Sequence, residues 1–301
     1  MNRALVGPTA SGKTQAALDI AERLGCEVLS VDSMLVYRGM DVGTAKPRPD
    51  ERARVHHHLI NVVEPEQPFS VAEFQFMARS ALDVMATRGV GCLIVGGSGL
   101  YYRAVVDDLE FPGTDPETRR NLETEAVAGG SLLYSRLEDL DPDAARKIEP
   151  ANVRRTVRAL EVAAVTGRPF STYSRAWEAY PEGNVRAAGI TMQSEALAAR
   201  IERRVRSMLD AGFLDEVRGL IDRGLGGWLT SSQAIGYAEM ALHIRGELPL
   251  EDAISGTVKR TKALARRQLA WFRRDPRIEW FEAGAEGAGA IADRLTEYLD
   301  G

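Results

Sequence analysis

Cysteine is nearly absent from this chain: only Cys26 and Cys92 occur in 301 residues. Both border apolar, strand-like runs, so they read as small core residues and not as a disulfide or a metal pair. Long hydrophobic runs are also missing; none approaches the ~20 apolar residues of a membrane-spanning helix. Met1 leads directly into the first strand and leaves no room for a signal peptide. A cytoplasmic protein with no membrane partner is therefore expected. The chain has no internal repeat and no low-complexity tail. Positive charge is not in excess, since 38 Lys and Arg face 43 Asp and Glu for a net charge of -5. That balance alone does not suggest a nucleic-acid binder, but a local basic face can hide inside it. With 45% apolar and 27% charged residues, the chain has the composition of a globular protein, long enough for one large α/β unit or two domains.

Against these absences stands one complete motif. Gly7-Pro8-Thr9-Ala10-Ser11-Gly12-Lys13-Thr14 is a G-x-x-x-x-G-K-[ST] phosphate loop. Its context is the required one. Arg3 to Val6 reads as a short strand, and the residues after Thr14 read as a helix with Ala16, Ala17, Ile20, Ala21 and Leu24 on one face and Gly25 as the stop. Loop N–H groups, the helix N-terminus and Lys13 direct positive charge at a polyphosphate. Thr14 offers a hydroxyl to a magnesium ion. A surface turn would produce this pattern by chance in roughly one chain of this length in a hundred.

The first third of the chain alternates strand and helix signals. Glu27 to Val31 predicts a second strand ending at Asp32-Ser33. The spacing over 69–88 predicts a helix, and Cys92 to Val95 a buried strand that runs into Gly96-Gly97-Ser98-Gly99, with a helix opening at Leu100. Repeated β-α units predict a parallel sheet with ligands at the carboxyl ends of its strands. From Thr114 to about Glu182 nearly all signals are helical, with starts at Asp115-Pro116-Glu117 and Asp141-Pro142-Asp143. Val185 to Met192 reads as a strand again, and the chain from Ser194 onward as mainly helical. The expected organisation is an α/β core over 1–113 and 183–301, carrying a helical insertion over 114–182.

Asp32 is the first candidate for chemistry, as a general base across the cleft from the loop; a helix-capping aspartate is its structural alternative. The strand over 92–95 ends in glycines where nucleoside triphosphatases of this loop class place an Asp for magnesium, which argues against a motor ATPase or GTPase. An Asp-Asp-x-x-Asp cluster is absent; Asp107-Asp108-Leu109-Glu110 reads as a solvated loop. His56-His57-His58 is not expected to share one ion, because neighbouring side chains diverge on regular backbone. A solvated or phosphate-contacting segment is expected there, with one of the three able to serve the site. Basic residues cluster three times: at Lys259, Arg260, Lys262, Arg266, Arg267, Arg273, Arg274 and Arg277; at Arg200, Arg203, Arg204 and Arg206; and at Arg154, Arg155 and Arg158. Three such faces in an acidic protein point to a polyanion, with RNA the expected partner.

Together these segments resemble the tRNA dimethylallyltransferase family, which prenylates an adenosine beside the anticodon. The resemblance runs from about residue 3 to 282. It is carried by the loop at 7–14, by Ser30-Val31-Asp32-Ser33 and the string from Tyr37 to Pro47, by Val95 to Tyr101, by Arg158 to Val162, by Gln233 to Tyr237, and by the basic helix from Lys259 through Trp271. It implies an α/β fold: a P-loop NTPase-like core, with a parallel sheet flanked by helices, plus a helical insertion domain. It also implies dimethylallyl diphosphate and the tRNA anticodon stem-loop as substrates, with Mg2+ as cofactor. Gly7 to Thr14 would then hold a diphosphate in place of ATP, with Thr14 toward the metal. Asp32 is implied as general base, while Lys13, Thr9 and Arg204 grip the diphosphate and Ser98 helps to position either substrate. Asp32, Ser33, Met34 and Leu35 would meet the target base, flipped out of its stack. Arg119, Arg154, Arg155, Arg158, Gln233, Gly236, Tyr237 and Arg267 would hold the stem-loop, on which the insertion closes. No Cys/His cluster follows residue 282, which matches the bacterial form, and a monomer is expected. A phosphate-loop kinase for a small metabolite, a free-nucleotide isopentenyltransferase and a non-catalytic RNA-binding module are the rivals. The kinase accounts for neither the basic clusters nor the string from Asp32 to Pro47, the free-nucleotide enzyme does not need the insertion and basic helices, and the RNA-binding module is separated from a transferase by Asp32→Asn, which it would tolerate.

Overall fold

The computed structural model describes residues 2–301 except Asp108, Arg175, Ala176, Glu178 and Asn184, and leaves out the side chains of Ala128, Gly130 and Ser174. The chain divides into two compact units, Met1–Asp107 with Glu182–Gly301, and Asp108–Pro181.

The first unit opens with strand β1 (Asn2–Val6), helix α1 (Lys13–Leu24) and strand β2 (Cys26–Ser30), followed by α2 (Pro49–Arg54), β3 (His57–His58), α3 (Val71–Thr87), β4 (Gly91–Gly96) and α4 (Gly99–Val106). Ala4, Leu5 and Val6 of β1 are fully buried, the unbroken apolar run of a strand covered on both faces. Glycine bounds α1 at both ends: Gly12 precedes it and Gly25 closes it in the left-handed conformation, its N–H bonding to the carbonyls of Ala21 and Glu22. Ser70 caps α3 in a reciprocal pair with Glu73.

The second unit is helical, as its sequence reads: α5 (Pro116–Leu140), α6 (Pro142–Ala145), α7 (Val153–Thr166) and α8 (Phe170–Ser174). Asp115, Asp141 and Asn152 cap α5, α6 and α7 with their side chains. Gly129 departs from helical backbone and interrupts α5. A separate core forms here around Leu122, Leu133, Leu137, Ile148, Val157 and Leu160.

The chain then returns to the first unit with β5 (Val185–Thr191), α9 (Ser194–Asp210), α10 (Phe213–Asp222), α11 (Tyr237–Ile244), α12 (Leu250–Phe272), β6 (Ile278–Glu282) and α13 (Ala292–Asp300). Among the described residues, six strands lie in the order β3-β2-β4-β1-β5-β6, each paired in parallel with its neighbours. Two of them escape the sequence reading, which expects a mainly helical chain after Ser194 and marks no strand at His57-His58. β6 is a largely half-exposed or exposed edge strand in register with β5, and β3 is only two residues long. Neither has the apolar run that marks a central strand. Cys26 and Cys92 are free thiols on adjacent strands, and burial pushes Cys92 up to about 12. Among the described residues no helix is long and apolar enough to cross a membrane.

Candidate active site

The loop from Gly7 to Gly12 follows β1 at its carboxyl end. Its two motif glycines are there for steric reasons. A Cβ on Gly7 (φ 150°) would meet the Ile190 carbonyl oxygen at 2.9 Å, and one on Gly12 (φ 89°) would meet the Ala288 nitrogen at 2.8 Å. Ala10 also adopts positive φ, at 64°, a conformation that surrounding contacts must hold. Those contacts are visible. Ala288 N–H donates to Ser11 O at 2.8 Å, Arg200 Nε to Ala10 O at 2.8 Å, and Thr9 N–H to Gln268 Oε1 at 2.8 Å. Within the loop, Pro8 and Ser11 are buried.

Lys13 lies back over this loop, its Nζ donating to Pro8 O at 2.5 Å and reaching Ser11 Oγ at 3.5 Å. Burial, and then the neighbouring Arg204 guanidinium, lower Lys13 to about 7, against the opposing pull of Asp32. Burial lowers Arg204 as well, and Asp32 again opposes it. The three charges therefore feel one another in one desolvated place. That place is a cleft of about 950 Å3 lined by Thr9, Lys13, Thr14, Asp32 and Arg204. A shallower apolar hollow of about 640 Å3 lies elsewhere, around Phe69 and Phe76, and holds none of this chemistry.

Asp32 stands just beyond β2. Its Oδ1 accepts the Met34 N–H at 2.8 Å, so this carboxylate organises a turn as well as facing the cleft. Leu35 lines the cleft beside it, whereas Met34 packs on the core and Ser33 is half-buried. Ser98 is the N-cap residue of α4, half-buried, with no capping bond from its side chain. Gly96 and Gly97 at the end of β4 line the cleft. A Cβ on Gly96 would stand 2.3 Å from the Val31 carbonyl oxygen. No carboxylate-bearing side chain fits there, and that is the steric reason for the missing strand-end Asp.

A family model described as IPP transferase matches residues 35–275, and one described as Isopentenyl transferase matches residues 2–62. A tRNA dimethylallyltransferase of Streptomyces coelicolor is 46% identical over 97% of this chain and 91% of its own length. The chain belongs to the tRNA dimethylallyltransferase family. As a member it is an enzyme of the prenyltransferase type. The solved tRNA isopentenylpyrophosphate transferase of Bacillus halodurans is 39% identical, with a TM-score of 0.69 over 99% of this chain and 96% of that one. A eukaryotic dimethylallyltransferase at 24% identity shares the fold, with a TM-score of 0.79 over 94% of this chain and 73% of its own. The P-loop NTPase-like α/β core with a parallel sheet expected from sequence is thus found.

The dimethylallyltransferase family's candidate RNA contacts divide by exposure. Gln233 and Arg267 are exposed in the first unit, Arg154 and Arg155 in the second. Tyr237 is fully buried, with its hydroxyl donating to Glu216 Oε1 at 2.7 Å and its ring against Phe213. It is a structural residue and not an RNA contact, and Gly236 is buried beside it. In the second unit, Arg158 donates to the carbonyls of Pro112 (2.6 Å) and Gly113 (3.1 Å) and to the buried Glu161 (2.8 Å). Arg119 pairs with the same Glu161 at 3.3 Å. Both arginines neutralise a buried carboxylate.

Arg277 leaves the basic face altogether. It is buried between Asp107 at 2.6 Å and Asp275 at 2.7 Å. Asp107, expected in a solvated loop, is buried with Arg277 and Arg103 as its partners; Asp108 lies outside the described residues. Arg260 pairs with Glu239, and Arg206 with Glu251. The histidines separate, as the strand requires: His57 lines the cleft, while His58 bonds to Glu27.

Three residues in or beside this cleft carry no sequence signal of their own: Gln268 and Lys46 line it, and Glu216 supports its wall. Gln268 carried none beyond its place on a basic helix. Glu216 accepts the N–H groups of Asp41 (2.6 Å), Val42 (2.7 Å) and Gly43 (3.0 Å). Lys46 is buried and donates to Tyr37 O, Asp41 Oδ1 (2.7 Å) and Asn61 Oδ1 (2.6 Å). The last two explain the string from Tyr37 to Pro47: it is a loop wall whose polar backbone is satisfied by buried charges.

Proposed function

We propose that this chain transfers a dimethylallyl group from dimethylallyl diphosphate to the exocyclic amine of the adenosine on the 3′ side of a tRNA anticodon, releasing diphosphate. The observation that carries the reading is the meeting of Lys13, Arg204 and Asp32 in one cleft against the phosphate loop, beside a strand end that has no room for a magnesium carboxylate.

In this reaction the bond between the allylic carbon and its diphosphate oxygen breaks, and a bond from the adenine nitrogen to that carbon forms. The electron pair leaves with the diphosphate. Loop N–H groups, Lys13 and Arg204 stabilise that charge where water is excluded. The amine is weakly basic, because its lone pair is delocalised into the ring. Asp32 accepts its proton as the new bond forms. Thr14 presents an exposed hydroxyl to the cleft, a hard oxygen donor suited to Mg2+, which when bound would neutralise charge on the diphosphate. Leu35 lines the cleft that would receive the adenine, and Ser98, at the start of α4, would help to position either substrate. Arg154, Arg155, Gln233 and Arg267 are the exposed candidates for RNA contact. A tRNA substrate supports a cytoplasmic setting.

The test is mass spectrometry of nucleosides from unmodified anticodon stem-loop RNA incubated with the protein, Mg2+ and dimethylallyl diphosphate, without ATP. Dimethylallyladenosine is the expected product. No product from a folded, RNA-binding sample, together with ATP-dependent phosphorylation of a small acceptor, would overturn the reading.

A further inference from the structure

Strand β3 turns successive side chains to opposite faces of the sheet. His57 is in register with Val28 and lines the cleft with it. His58 is in register with Leu29, so His58 and His56 fall on the other face, together with Glu27 of β2. There one nitrogen of each of the two rings and one Glu27 oxygen lie within 4.8 Å of one another. His58 Nε2 is 2.6 Å from Glu27 Oε2, and the two rings meet edge to face with centroids 4.5 Å apart. The Glu27 and His58 side chains are each 14% exposed, and His56 is open to solvent.

We infer that Glu27, His56 and His58 form a binding site for a divalent transition-metal ion of zinc's class. Two imidazoles and a carboxylate are the donor set that such borderline cations take, in contrast to the all-oxygen sets of magnesium and calcium. Two of the ligands are held on paired strands, which fixes their separation. The third, His56, closes the set by side-chain rotation: tetrahedral ligand atoms about 2.0–2.2 Å from zinc lie roughly 3.4 Å apart, a short movement for an exposed ring. The fourth position faces solvent. Arg88, which bonds the same Glu27 oxygen at 2.6 Å, is the competing group, and its half-exposed side chain can swing away. The ion replaces the hydrogen bond between His58 and Glu27. Because the site lies on the face of β3 opposite the cleft, it does not depend on the proposed reaction.

The experiment is calorimetric titration of the untagged full chain with ZnCl2 in excess Mg2+, repeated with Co2+ to follow its visible bands. One equivalent is expected to bind with micromolar affinity and to give the intense bands of four-coordinate cobalt. His56→Ala, at an exposed position, should weaken binding by more than about 100-fold, beyond the ~10–100-fold lost when a mere outer-shell partner is removed, with an unchanged melting temperature in the absence of metal. Glu27→Gln should do the same. Absence of stoichiometric binding, or equal affinity in wild type and His56→Ala, would overturn the inference.

Discussion

Gln268 Oε1 accepts the Thr9 N–H at 2.8 Å, so the long basic helix α12 is tied directly to the phosphate loop. The side chain also passes under the end of β4, where its Nε2 would lie 2.4 Å from a Cβ on Gly97. One face of α12 carries Arg266 and Arg267 outward, while Gln268, next in sequence, holds the phosphate loop. Gln268→Ala should leave the fold intact, at a cost of about 1–3 kcal/mol for the orphaned N–H. It should raise the KM for dimethylallyl diphosphate more than that for RNA. Steady-state kinetics with each substrate varied in turn checks this.

Asp32→Asn keeps the shape of the side chain and an oxygen for the Met34 N–H, but loses the base. Turnover should fall by about 10²–10⁴, with RNA affinity retained. Single-turnover rates beside a gel-shift titration separate the two effects, and unchanged turnover would remove Asp32 from the role of base.

Lys13, lowered to about 7 by burial and by Arg204, is partly neutral at physiological pH in the empty cleft. A bound diphosphate favours its charged form, so binding takes up a proton. Below pH 7 the lysine is already charged and its contribution to affinity is flat; as pH rises through 7 toward the liganded pKa, that contribution falls. Calorimetric titration with inorganic diphosphate in buffers of different ionisation enthalpy should show this uptake near pH 8. Lys13→Met should abolish it.

Glu216 gathers three backbone N–H groups and the Tyr237 hydroxyl on its two oxygens. Glu216→Ala orphans all four donors and should destabilise the protein by about 2–4 kcal/mol. Tyr237→Phe removes one of them and should cost about 1 kcal/mol. Thermal melts rank the pair, and RNA affinity should be nearly unchanged in Tyr237→Phe, since that side chain is buried.

Arg277 and Arg267 look alike in sequence and should behave oppositely. Arg277→Ala leaves Asp275 buried without its cationic partner and Asp107 with Arg103 alone, and should cost about 3–5 kcal/mol. Arg267→Ala should not move the melting temperature, but should weaken RNA binding and lower its salt slope by about one unit.

The phosphate loop, the core strands and the capped helices of the insertion were legible in sequence because their signals are local. Glycines at forced backbone angles, apolar runs, and Asp or Asn at helix starts each act within a few residues. The family was legible as well, from the strings around Asp32 and Gly96. Contacts between residues far apart in sequence were decided only by the tertiary structure. The edge strands β3 and β6 carry too few apolar residues to announce themselves, and pairing with β2 and β5 creates them. The three histidines divide because a strand pleat sends His57 one way and its neighbours the other. The fate of each arginine was decided the same way. A guanidinium facing water can serve RNA, whereas one beside buried Asp107 or Glu161 is consumed in neutralising it, and only the folded chain determines which carboxylate it meets.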